Sequence, residues 1–375
     1  MREDLVDRVR RRLATEGWQA TPLSVTDALR AEGLVLPETT VVEVVQSLRT
    51  EMTGLGVLEP LVRAAGVTDV LVNAPDSVWI DDGDGLRRTQ VRFTDEGAVR
   101  RLAQRLASSA GRRLDDSSPF VDARLPEGIR LHAILPPISS DGTCLSLRIP
   151  RRRVFSLAEL VDSGMVPEAG AQMLADLVAS RRAFLVSGGT GSGKTTLLSS
   201  LLTEVGSEER MVLVEDSAEL RPDHPHVVRL ESRPPNTEGS GEVTLRDLVR
   251  QALRMRPDRV VVGEVRGAEV VDLLAALNTG HEGGCGTVHA NSAADVPARL
   301  ESLALPAGLN RSGLHAQVAA GLDAVVHIIR DRRGVRRVAG IAVLERDDAL
   351  VRTVPAVVFR DGGIINGPGR DRLPA

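Results

Sequence analysis

The 375-residue sequence has no tyrosine, two tryptophans and five phenylalanines, so aromatic residues make up only 2% of it. Proteins that hold single-stranded nucleic acid without regard to sequence stack its bases on aromatic rings. That platform is hard to assemble from so small a stock. Cysteine is almost as scarce. Cys144 and Cys285 lie far apart, with no C-x-x-C pair and no Cys/His cluster, which argues for a reduced setting and against a structural zinc. No run approaches the about 18 apolar residues that span a bilayer. The opening MREDLVDRVRRRL carries charges where a secretory signal needs an apolar stretch. The expectation is a cytoplasmic protein whose membrane link, if it has one, runs through a partner. A net charge of −4 supplies no general cationic field for nucleic acid or lipid phosphate.

The most informative deficit is lysine. Of 47 lysines and arginines, one is lysine, Lys194. A sequence that uses arginine wherever any cation suffices keeps its ammonium where the rigid guanidinium fork does not fit. Lys194 lies in Gly188-Gly189-Thr190-Gly191-Ser192-Gly193-Lys194-Thr195, which matches G-x-x-x-x-G-K-[ST]. An apolar strand over 183–187 enters this loop and an apolar helix leaves it, as a phosphate cradle requires. The glycines let backbone N–H groups converge on a polyphosphate, and the following helix N-terminus adds positive potential. Lys194 would reach the β- and γ-phosphates of ATP, and Thr195 would hold Mg²⁺.

The rest of the chain divides by period. Apolar spacing predicts helices over 3–16, 24–32 and 38–51 within a helical segment 1–60. Strands at 70–73, 78–80, 88–93, 121–125, 129–135 and 144–149, with a helix at 95–108, predict a small α+β domain over 61–150. Arg151-Arg152-Arg153 opens a linker expected over 151–165. From 166 to 375 strands and helices alternate, and the strands are apolar runs. The fold class is therefore α/β, a mainly parallel sheet with both faces covered. The tail strands at 324–330, 336–345 and 351–359 read as an antiparallel extension.

Within that alternation, strand 211–215 ends on Glu215-Asp216, and a carboxylate there could orient and deprotonate an attacking water. Strand 259–264 ends on Gly263-Glu264. Gly263 stands where such enzymes often carry the aspartate that supports Mg²⁺, and Glu264 supplies the charge. His281 and His289 bracket a glycine-rich strand entry, GHEGGCGTVH. His289 falls at the expected C-terminal edge of the sheet, where ligands of α/β proteins bind. Both histidines are candidates for sensing phosphate. A metal held by the pair is not expected, because no nearby Cys or Asp set completes a tetrahedron.

Taken in order, GGTGSGKTT, VEDSAEL, VVVGEVRG and TGHEGGCGTVHANS resemble the Walker A, Asp box, atypical Walker B and His box of the secretion and pilus-assembly ATPases. The upstream TDVLVNAPDSVWI and GRRLDDSSPFVDARLPEGIRLHAILPP are similar to the N-terminal domain of the tight-adherence branch. The resemblance covers about residues 65–345. It implies a RecA-like P-loop NTPase domain that works as a homohexamer on an inner-membrane platform protein, powered by ATP with Mg²⁺. It also implies a location at the inner face of the cell membrane. Onto matching positions it carries nucleotide binding by Gly189, Thr190, Gly191, Ser192, Gly193, Lys194, Thr195 and Thr196, water activation by Glu215, and Mg²⁺ support by Thr195 and Glu264. His289 becomes the residue near the γ-phosphate. Arg124, Arg130 and Arg148 occupy the stretch whose arginines close on the phosphates. A RecA-like DNA translocase or helicase is the alternative function, disfavoured by the charge and the missing aromatics.

Overall fold

A computed structural model describes residues 9, 12, 15, 16, 22–31, 54–83, 85–150, 154–236, 239–331, 333–348, 350–360 and 363–374. The chain forms two compact units, Met1–Pro150 and Arg151–Ala375. The expected helix at 38–51, most of that at 3–16 and the basic triplet Arg151-Arg152-Arg153 fall outside the described residues. Helix α1 is Pro22–Ala31.

In the first unit, β1 (Asp69–Ala74), β2 (Ser77–Asp81), β3 (Leu86–Arg88), β4 (Phe120–Arg124), β5 (Arg130–Ile134) and β6 (Cys144–Arg148) make one sheet in the order β3-β2-β1-β6-β5-β4. Every neighbouring pair is antiparallel. The described residues of this unit also form short helix α2 (Glu59–Arg63) and helix α3 (Glu96–Ser109). Asp95 caps α3 by accepting the Ala98 N–H at 2.7 Å. Val99, Leu102, Ala103 and Leu106, spaced three and four apart, turn one face of α3 onto Val70, Val72, Leu131, Leu145 and Leu147. Each such leucine or valine contributes about 1.5–3 kcal/mol on full burial. The strand expected at 88–93 lies earlier in the chain: β3 ends at Arg88, the Thr89 N–H adds one bond to the Val78 carbonyl at 2.8 Å, and Val91 and Phe93 pack on the core.

The second unit begins with α4 (Leu157–Asp162) and α5 (Glu168–Ala179). The segment 151–165 was expected to be a linker, but Ser156 and Glu159 form a reciprocal cap and Leu157, Leu160 and Met165 are buried in the second unit's core. Then follow β7 (Phe184–Gly188), α6 (Lys194–Thr203), β8 (Met211–Glu215), β9 (Val227–Glu231), α7 (Leu245–Ala252), β10 (Arg259–Val265), α8 (Glu269–Leu277), β11 (Cys285–His289), α9 (Val296–Ala304) and α10 (Arg311–Gly321). The chain closes with β12 (Ala324–Arg330), β13 (Arg336–Asp347), β14 (Leu350–Arg360) and β15 (Gly363–Asn366).

The nine strands form one mixed sheet, β15-β14-β13-β12-β7-β11-β10-β8-β9. From β12 to β9 every neighbour is parallel. β12 was expected in the antiparallel tail; it pairs parallel with β7, and the antiparallel extension starts at β13. Alternate residues feed two cores. Phe184, Val186, Leu213 and Val261 pack under α4, α5 and α6, while Leu185, Val212, Val214 and Val262 pack under α7, α8, α9 and α10. Burial on both faces is why these strands are apolar throughout. Because the six strands run the same way, Gly188, Glu215, Glu264 and His289 all finish at one edge of the sheet.

Candidate active site

The loop between β7 and α6 is shaped by close approach. A Cβ at Gly188 would lie 2.5 Å from the Ile328 carbonyl oxygen, and one at Gly193 would lie 2.7 Å from the Met165 methyl. Gly193 also has φ +97°, which glycine alone adopts without cost. The chain then turns into α6, whose N-terminal N–H groups face the loop. Lys194, 7% exposed, is folded back over this loop. Its Nζ donates to the carbonyl oxygens of Gly188 at 3.1 Å and Gly189 at 2.9 Å. Burial holds the ammonium's pKa below its ordinary value, and the Glu264 charge works against that fall.

Lys194 Nζ also lies 3.5 Å from His289 Nδ1, and His289 Nε2 lies 2.9 Å from Glu264 Oε1. Burial lowers the imidazole's pKa; the Lys194 charge lowers it further and Glu264 opposes them. The neutral ring satisfies both contacts in one tautomer, with Nε2–H donating to Glu264 and Nδ1 accepting from Lys194. A register shift in β10 between Val262 and Val265 lets Glu264 point this way, and Thr287 Oγ1 pins the bulge by donating to the Gly263 carbonyl at 2.7 Å.

Glu215 ends β8 with only 4% exposure. Its Oε1 accepts the N–H groups of Glu219 at 3.0 Å and Leu220 at 2.9 Å. Burial outweighs those two bonds and raises its pKa to about 7. The side chain lies over Gly263: a Cβ there would sit 2.7 Å from Glu215 Cγ. That contact explains why no aspartate stands at 263. The neighbouring strand's glutamate fills the space that its side chain would need. Asp216, next in sequence, is already engaged, 2.6 Å from Arg266 and 2.9 Å from the Ser232 hydroxyl.

Beside the loop opens a cleft of about 490 Å³ lined by Gly189, Thr190, His289, Asn291, Asp295 and Arg299. A family model for the type II/IV secretion system protein matches residues 51–351. The chain belongs to that family. A putative conjugal transfer protein of Mycobacterium tuberculosis (strain H37Rv) is 60% identical over 326 residues, covering 85% of this chain and 93% of the relative. The type IV secretion system protein PtlH of Bordetella pertussis is 35% identical over 312 residues, covering 76% and 91%. In fold, the chain is similar to two solved structures. The Legionella pneumophila ATPase DotB has a TM-score of 0.54 at 20% identity, covering 76% and 79%. The pilus retraction motor PilT, solved with bound ADP, has a TM-score of 0.55 at 21% identity, covering 77% and 81%. Family membership, with the P-loop and the acids behind it, makes the chain an ATP-hydrolysing enzyme.

Within this secretion-family chain, the structure gathers Lys194, Glu215, Glu264 and His289 and leaves His281 out. His281 lies four residues before β11 and His289 ends it. At about 3.3 Å per residue, the strand's two ends are about 13 Å apart. His281 therefore lies at the sheet edge opposite the P-loop, away from the phosphate-sensing position expected for it within the unit. In the first unit, strand register sets Arg124 opposite Arg130 and Arg130 opposite Arg148. Directly opposed residues share a face, so the three arginines form a row on the side of the sheet away from the Leu131 and Leu147 core. Asp122 pairs with Arg130 at 3.2 Å.

Two residues near the P-loop went unread in the sequence. His327, the one polar residue inside the run AVVHII, is buried in β12 with Nδ1 2.9 Å from the Ser187 hydroxyl and a bond to the Asn291 backbone. Arg299, one turn into α9, places a charge that bears on His289. A polar interruption of an apolar strand could have signalled the first. Nothing in the sequence distinguishes Arg299 among 46 arginines.

Proposed function

We propose that this chain is a motor ATPase that hydrolyses Mg-ATP and, as a homohexamer, drives pilus assembly or protein secretion through an inner-membrane platform protein. One observation supports this reading above the rest: the contact chain Lys194–His289–Glu264, at 3.5 and 2.9 Å, beside the buried Glu215 at the P-loop edge of the sheet. Lys194 binds the β- and γ-phosphates, with the N–H groups of Gly189 to Lys194 and the N-terminus of α6 around them, and Thr195 and Thr196 follow in the first turn. Glu215 orients a water and takes its proton, and the raised carboxyl pKa suits that exchange near neutral pH. His289, bridging the ammonium and Glu264, registers the γ-phosphate by losing or keeping its Lys194 contact.

Among the described residues no group of three His, Cys, Asp or Glu is set to hold a metal by itself. Mg²⁺ fits the site nonetheless, since it favours oxygen donors and usually takes one or two from protein and the rest from water and phosphates. The Thr195 hydroxyl and Glu264 carboxylate would hold it. It would neutralise charge that builds on the transferring phosphoryl group. Arg124, Arg130 and Arg148 supply the closing guanidiniums from the first unit. Like charges set opposite each other cost stability, which a polyphosphate would relieve.

No helix among the described residues is long and apolar enough to cross a membrane. The proposed location is the inner face of the cell membrane, reached through the platform protein. The relatives' conjugal-transfer names favour a second reading, a DNA translocase, which predicts turnover stimulated by DNA and suppressed by salt. The decisive test of the enzymatic core is Lys194→Ala. Removing the ammonium should abolish phosphate release and weaken Mg-ATP binding, and undiminished turnover in this variant would overturn the reading.

A further inference from the structure

The P-loop is braced on its outer side by the hairpin joining β12 to β13. Arg336, the first residue of β13, donates through Nε to the Gly191 carbonyl at 2.9 Å. Arg330, the last residue of β12, is close too, its NH1 3.5 Å from where a Cβ on Gly191 would stand. The platform carrying them is fixed at three points. β12 runs beside β7, with Ile328 opposite Gly188. Asp331 closes the hairpin, its Oδ1 accepting the N–H groups of Arg333 at 2.8 Å and Val335 at 2.9 Å. The Val338 N–H donates to the Met165 carbonyl at 2.8 Å, and the Met165 side chain in turn touches Gly193.

A trans peptide carries its C=O and N–H on opposite sides. With the Gly191 carbonyl held outward by Arg336, the Ser192 N–H must face inward. It does so: it is directed across the loop at the Gly189 carbonyl, at a long 3.4 Å, on the side where the Lys194 ammonium also lies. We propose that Arg336 is a positioning residue for the nucleotide, holding the 191–192 peptide so that the Ser192 N–H is presented to the polyphosphate. The guanidinium also draws on the carbonyl it binds, which polarises the peptide and makes its N–H the stronger donor. This role rests on the ATPase reading, deepens it, and assigns part of the phosphate site to a hairpin whose Arg336 lies 145 positions after Gly191.

The test uses the full-length protein with Mg-ADP titrated calorimetrically, KM and kcat for ATP, and melting without nucleotide. Arg336→Met keeps the aliphatic stem and removes the bond. It should weaken Mg-ADP binding and raise KM about tenfold, as expected for a lost charge-assisted hydrogen bond, while kcat stays within about twofold. Arg336→Lys should recover part of the affinity. Arg337→Met, on the neighbouring residue that faces a separate cleft with Glu168 and Phe359, should leave affinity unchanged. Three results would overturn the proposal: Arg336→Met binding as the intact protein does, an equal loss in Arg337→Met, or an affinity loss that tracks lowered melting and is not recovered by lysine. Failure of the underlying reading looks different: the intact protein then binds no Mg-ADP at all, and the role of Arg336 falls with it.

Discussion

Glu215 carries two conflicting demands. A carboxylate that accepts two backbone N–H groups would ordinarily ionise easily, yet burial leaves it near pH 7. Its catalytic form is the ionised one, so kcat/KM should rise with pH through about 7 and level off above. Glu215→Gln keeps an oxygen for the two N–H groups but cannot take a proton; kcat should drop about 10²–10⁴-fold with Mg-ATP affinity retained. Stability should move the other way. A carboxyl whose folded pKa lies above its ordinary 4.5 favours folding fully only below that value, and the contribution is lost as pH rises through about 7. The melting temperature of Glu215→Gln should therefore gain on the intact protein between about pH 5 and pH 8, by up to about 3 kcal/mol of relative stability. A flat difference across that range would show that the carboxyl is not held in its protonated form.

Strands, more than single side chains, decide where the chemistry falls. β10 needs a residue without a side chain at 263 because Glu215 of β8 already fills that space, and the bulge that follows turns Glu264 toward β11. Gly263→Ala would force the Glu215 carboxyl aside. An overpacked site of this kind costs about 1–3 kcal/mol, and kcat should fall more than KM changes, because the phosphate-binding loop on β7 is untouched. Full activity in this variant would show that Glu215 has room to spare. The motif order was legible along the chain, since each chemical residue terminates an apolar run. The β10 bulge was not, because it shows only in the register of β10 against β11, and the Glu215 side chain over Gly263 comes from the adjacent strand β8, outside any local pattern. His281 was misjudged for a related reason: a strand separates it from His289, and a five-residue strand carries its two ends to opposite edges of the sheet.

The chain carries a row of three arginines on an antiparallel sheet in its first unit and the P-loop on the parallel block of a mixed sheet in its second. If those arginines serve the phosphates of a ring, Arg148→Ala and Arg130→Ala should bind Mg-ADP normally and turn over at least tenfold more slowly, arginine fingers being worth about 10³–10⁵ where they have been removed. Light scattering of the intact protein should report a sixfold mass with Mg-ATP, and a particle that stays monomeric under all nucleotide conditions would remove the ring.

The sequence by itself determined the α/β class, the P-loop and its lone ammonium, and the acids and histidine that end the strands. These follow from local pattern: apolar period, glycine spacing, and a residue type kept where its isofunctional neighbour cannot fit. Tertiary structure alone decided which strand ends share an edge, that β12 joins the parallel block, that Glu215 stands over Gly263, and that Arg336 reaches Gly191. Each of those depends on strand order and register, which bring together residues up to 145 positions apart through contacts that no local pattern encodes.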